Sequence, residues 1–137
     1  GVKNMRLPFF ILLGAAAVTA PAWGQTAARQ RLQCSADGQS DHSISARFEQ
    51  RGARRKFDAS FEAAPGLGFS AGDFLSVSVN GVNVGSMRLI SDPRGGDIIG
   101  DLEFDTRVDD GNPFPPNFPA VQRGANVRIG PLACALN

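Results

Sequence analysis

Tyrosine is missing from this chain of 137 residues, tryptophan and histidine occur once each, and cysteine occurs twice. Each scarcity removes a class of chemistry. The one tryptophan, Trp23, stands in an apolar run near the N-terminus, so the body of the chain has no Trp or Tyr to wall a sugar cleft. A paired-carboxylate glycosidase loses its main support on that ground. His42 has no second imidazole with which to share a metal, and neither Cys34 nor Cys134 has a cysteine or histidine at ligand spacing. Zinc ligation and a metal-held thiol therefore lack support. Fourteen Lys and Arg oppose thirteen Asp and Glu, and once Lys3 and Arg6 are set aside with the N-terminal segment the balance turns slightly acidic. No electrostatic case for nucleic acid remains.

What the chain does have begins with "LPFFILLGAAAVTAPAWG" behind Lys3, Met5 and Arg6. A basic start, a short apolar run and the small-residue pattern at Ala22-Trp23-Gly24 predict a secretory signal peptide over residues 1–24. The apolar stretch falls short of the roughly 20 residues that cross a bilayer, so no membrane span is expected after cleavage. Residues 25–137 then form a single β domain, periplasmic or secreted, with 25–30 as a loose leader. In an exported chain an even pair of cysteines predicts a disulfide, here Cys34 to Cys134. Closing a loop of about 100 residues is worth ~4–5 kcal/mol in the chain-entropy model. The bond requires Cα atoms about 4.4–6.8 Å apart.

The pattern in this domain has period two. "HSISARFEQ" sets Ile44, Ala46 and Phe48 against Ser45, Arg47 and Glu49, and "RKFDASFEA" sets Phe57, Ala59 and Phe61 against Asp58, Ser60 and Glu62. Such alternation marks strands with one buried and one wet face. "RGAR" between them is a turn at Gly52. "FLSVSV", Asn80-Gly81 and "VNVGSMRLI" predict a tight hairpin that pairs Val79 with Val82 and Val77 with Val84. Beyond Gly85 the apolar set shifts to Met87 and Leu89, the mark of a β-bulge. "IIGDLEFDT" and "ANVRIGPLACALN" supply the remaining strands. An antiparallel β-sandwich or small barrel of about seven strands is predicted.

Several constellations compete for a function. "GFSAG" around Ser70 has the form of a nucleophile elbow, but a loop precedes it, a strand follows it, and His42 comes earlier in the chain. A small hydrolase using Ser70 is thus a distant third reading. Asp101, Glu103 and Asp105 alternate along one strand, and Asp109 and Asp110 follow in the loop. Carboxylates in this number suit Ca²⁺, although the spacing is not that of an EF-hand. The plainer reading pairs them with arginines across the sheet. "RGARRK" reads as a soluble hairpin tip, with an anionic partner such as lipopolysaccharide or nucleic acid as the alternative. His42 reads as a surface residue. "NPFPPNFPAV" offers Phe114 and Phe118 on a proline-stiffened segment. They serve either as a plug turned into the sandwich or as a recognition loop, 112–121, for a protein or envelope partner.

"KFDASFEAAPG", "VNVGSMRL", "GDLEFDT" and "PFPPNFPAV" together resemble a loose group of uncharacterised exported bacterial β-rich proteins. The resemblance spans residues 47–134. It implies export and a β fold, and it carries over no catalytic or binding residue. The expectation is an exported, non-enzymatic, disulfide-stapled β domain that acts by surface contact, with no cofactor. The alternative is a Ca²⁺-binding module that uses the acidic segment 101–110.

Overall fold

The computed structural model describes residues 29–107 and 109–137. The predicted signal peptide lies outside them, as does most of the predicted leader. The alternating segments form nine strands: β1 (Arg29–Asp37), β2 (His42–Arg51), β3 (Arg54–Ala63), β4 (Phe74–Val79), β5 (Val82–Arg88), β6 (Ile90–Ser91), β7 (Ile98–Asp105), β8 (Asn126–Ile129) and β9 (Leu132–Ala135). No helix occurs among the described residues. The strands build two antiparallel sheets, one in the order β1-β2-β3-β7-β6 and the other β9-β8-β4-β5. They do not close into a barrel.

The strand count exceeds the sequence expectation for local reasons. Arg29 and Gln30, read as leader, lengthen β1 without adding a strand, by pairing with Arg51 and Gln50 of β2. The two-residue β6 is too short to show a period. The last segment, read as one strand, folds back at Gly130-Pro131, where Gly130 takes a positive φ of 54° and Ile129 pairs with Leu132.

The Asn80-Gly81 hairpin forms as its sequence demands. Both residues adopt positive φ, 49° and 81°, the backbone of a type I′ turn. Val79 pairs with Val82, but Val77 pairs with Gly85 and not with Val84. The extra residue is the bulge itself. It lets Val84 stay buried on one side of Gly85 while Met87 and Leu89 stay buried on the other.

The core lies between the sheets. Leu32, Ile44, Phe48, Phe57 and Phe61 from one face meet Val77, Val79, Met87, Val127 and Ile129 from the other, all buried. Each such side chain contributes ~1.5–3 kcal/mol by leaving water. Two loops close the open ends of the sandwich. At one end Phe114 and Phe118 pack on the core, with Phe118 5.2 Å from the ring of Phe57 and 5.9 Å from Phe104. At the other, Phe69 sits edge-on to Phe61 at 4.8 Å, with His42 beside it at 5.7 Å.

One side of the sandwich is stapled. Cys34 on β1 and Cys134 on β9 are disulfide-bonded with Cα atoms 5.8 Å apart, joining an edge strand of each sheet. The chain's tail completes the junction. Asn137 and Gln33 exchange two backbone hydrogen bonds, at 3.0 and 3.2 Å, and Leu136 does the same with Gly124 and Ala125, at 2.6 and 2.8 Å. A disulfide of this kind belongs to an oxidising, extracytoplasmic compartment. Among the described residues no helix is long and apolar enough to cross a membrane.

Candidate functional site

Period-two alternation turns Ser45, Arg47, Asp58, Ser60, Asp101 and Glu103 to the outside of the five-stranded sheet, and strand register decides which of them meet. Four cross-strand rows define this outer face. Arg29, Arg51 and Arg54 stand directly opposite one another on β1, β2 and β3, followed by Arg31, Glu49, Lys56 and, on β7, Asp105. Next come Gln33, Arg47, Asp58 and Glu103, and then Ser35, Ser45, Ser60 and Asp101. Charge thus runs from basic at the β2–β3 hairpin to acidic beyond the sheet's centre.

The serine row makes a trough. Three short side chains between longer ones leave a hollow of about 740 Å³ that runs across the strands, with hydroxyls on its floor. Asp101 stands at one end and accepts a 3.0 Å hydrogen bond from the Ser60 hydroxyl. Asp58, Asp101 and Glu103 bring carboxylate oxygens within 4.8 Å of one another. Two of these carboxyls are raised. Burial pushes the Asp101 carboxyl above its ordinary range, against the opposing effect of Ser60. Glu103 is raised chiefly by side-chain hydrogen bonding toward the neighbouring Asp58 carboxylate, and further by its charge. A second hollow of about 480 Å³ continues past Ser60 to Glu62, Asp92 and Ile99. There Glu62 is raised in the same way, chiefly by Asp97.

The five carboxylates expected to act together are divided. Asp101 and Glu103 face the trough, but Asp105 is 1% exposed and held elsewhere. Its oxygens accept hydrogen bonds from Arg54 Nε at 3.3 Å, Arg54 Nη2 at 2.9 Å and the Arg107 amide at 2.9 Å. The Arg54 guanidinium keeps this carboxyl below its ordinary range. Asp110 pairs with the same guanidinium at 3.2 Å, and Asp109 is exposed on the loop. The third member of the cluster, Asp58, comes from β3. Its outward position was legible in "RKFDASFEA", but its meeting with Glu103 follows only from the pairing of β3 with β7.

The other candidates have structural places. Ser70 lies in an exposed loop whose amide donates to Asp73 Oδ2 at 3.0 Å, and the strand–turn–helix of a nucleophile elbow is not formed around it. His42 Nδ1 lies 2.7 Å from the Ser40 carbonyl oxygen. Phe114 and Phe118 contact each other at 4.8 Å and turn toward the core, with the Arg55 guanidinium 4.3 Å above Phe114. The neighbouring Asn117 Nδ2 donates to the Asn83 carbonyl at 3.1 Å, so the loop also covers the edge of β5.

Compared with protein-family models, with curated proteins and with solved structures, the chain matches none of them.

Proposed function

We propose that this protein is an exported, non-enzymatic binding module, periplasmic or secreted, that acts by surface contact through the trough of its five-stranded sheet. The observation that supports this reading is the row Ser35, Ser45, Ser60 and Asp101, a hydroxyl-floored hollow ended by carboxylates. Hydroxyls accept hydrogen bonds as readily as they donate them, and crowded carboxylates gain from a cation that relieves their repulsion. The fitting partner therefore presents an ammonium or guanidinium group. Spermidine is a sufficient probe in titration calorimetry at low salt. The wild-type chain binds it, and Ser45→Phe, which fills the hollow from an exposed position, does not. An absence of binding to the wild type, or full binding by Ser45→Phe, rules the trough out as the contact surface.

A second reading is favoured by the 4.8 Å convergence of Asp58, Asp101 and Glu103, which suits the oxygen ligands of Ca²⁺. On this reading calcium at 100 times its dissociation constant stabilises the fold by ~2.7 kcal/mol. Melts at millimolar calcium with and without chelator test it, and Asp58→Asn abolishes any shift.

A further inference from the structure

The basic end of the same sheet face has an arrangement that folding alone does not explain. Like charges directly opposite one another across antiparallel strands are destabilising, yet Arg29 faces Arg51 and Arg51 faces Arg54. With Lys56 and Glu49 these three arginines line a cleft of about 140 Å³. At roughly 30 Å³ per water that is room for four or five waters, the scale of a tetrahedral oxyanion. Glu49 lends the cleft one negative charge, but its Oε2 is shared with Arg31 at 3.3 Å and Arg47 at 3.9 Å outside it, so the cleft's cations outnumber it. Among the described residues no ion pair engages Arg29, Arg51 or Lys56. Arg54 commits Nε and Nη2 to Asp105 and Asp110, which leaves Nη1 for a ligand. The buried Asp105 thereby fixes the plane of this guanidinium.

We infer that Arg29, Arg51, Arg54 and Lys56 form a binding site for a phosphate group, with Asp105 as the positioning residue. Planar guanidinium forks match phosphate oxygens two at a time, and an ammonium adds a compact charge. A bound dianion also removes the repulsion along the arginine row. The inference uses other residues than the trough reading and stands apart from it.

The experiment takes the folded, disulfide-bonded chain and has two arms. One titrates inorganic phosphate by calorimetry. The other measures co-sedimentation with vesicles of equal parts phosphatidylglycerol and phosphatidylcholine, against phosphatidylcholine alone. Binding in the first arm identifies a free phosphate as sufficient, and binding in the second arm alone identifies a lipid headgroup. In either case Arg51→Gln weakens binding about fivefold, as expected for one cation at an anionic surface, and Arg29→Gln with Arg51→Gln reduces it to background. Arg88→Gln removes the same charge from β5 of the other sheet and leaves binding unchanged. Arg51→Gln melts no lower than wild type, because it ends a repulsion. No binding in either arm overturns the inference. So does binding that Arg51→Gln leaves intact or that Arg88→Gln weakens equally.

Discussion

Two carboxylates four residues apart on β7 face opposite circumstances. Asp101, exposed at the trough, is penalised by partial desolvation with only Ser60 to help it, and Asp105 is encircled by donors. Their replacements should move stability in opposite directions. Asp105→Asn takes from Arg54 its buried charged partner, leaving the exposed Asp110, and lowers the melting temperature. Asp101→Asn keeps an acceptor for Ser60, removes a penalised charge, and melts at or above wild type. Parallel melts at neutral pH check both signs. Gly100 illustrates a different constraint. It faces Phe61 across the sheet, and a Cβ there would lie 2.7 Å from both Leu89 Cδ2 and Met87 Sδ. Gly100→Ala overpacks the core and costs ~1–3 kcal/mol in denaturant unfolding.

At the scale of elements, the two loops that break the strand rhythm are lids on the core. "GFSAG" draws attention to Ser70, but Phe69 carries its structural role, edge-on to Phe61. Phe69→Ala should destabilise measurably while Ser70→Ala leaves the melt unchanged. A fall with Ser70→Ala equal to that of Phe69→Ala would contradict the lid. The paired change Phe114→Ala with Phe118→Ala removes two half-buried rings from Phe57 and Phe104. Its cost should reach at least the ~3 kcal/mol that one fully buried phenylalanine loses, read from the denaturant midpoint at constant m-value. Nothing local distinguishes a lid from a recognition loop in "NPFPPNFPAV". Proline sets the stiffness of the backbone, but the direction of the rings depends on which sheet ends leave room beneath them.

For the molecule as a whole, the Cys34–Cys134 bond restrains the unfolded chain across a sequence separation of 100. Reduction should therefore lower stability by ~4–5 kcal/mol, and unfolding with and without reductant measures it. Acidity acts through two opposed sets. Asp101, Glu103 and Glu62 hold their protons more tightly folded than at their ordinary values of 3.8, 4.5 and 4.5. Their charged forms count against the fold at neutral pH, and this is relieved as pH falls through the raised values. Asp105 lies below its ordinary 3.8, so its contribution is present above that value and lost as pH falls through the lowered one. The melting temperature should rise from neutral pH toward about 4.5 and fall again below 3.8. A melt that declines steadily from neutral pH would show that the raised carboxylates have little weight.

The sequence by itself determined what depends on neighbours along the chain. Alternation put Phe57 and Ala59 inside and Asp58 and Ser60 outside, because the strand period is a property of the backbone. Asn80-Gly81 determined its own turn through positive φ, and two cysteines behind an N-terminus that predicts export had one partner each. Only the tertiary structure decided what depends on register between distant strands. The meeting of Asp58 with Glu103, the row of serines, the facing arginines and the withdrawal of Asp105 beneath Arg54 all follow from how β1, β2, β3 and β7 align. A slip of one residue would have turned each of these side chains to the other face. That alignment is set by burial summed over both sheets, which no local pattern contains.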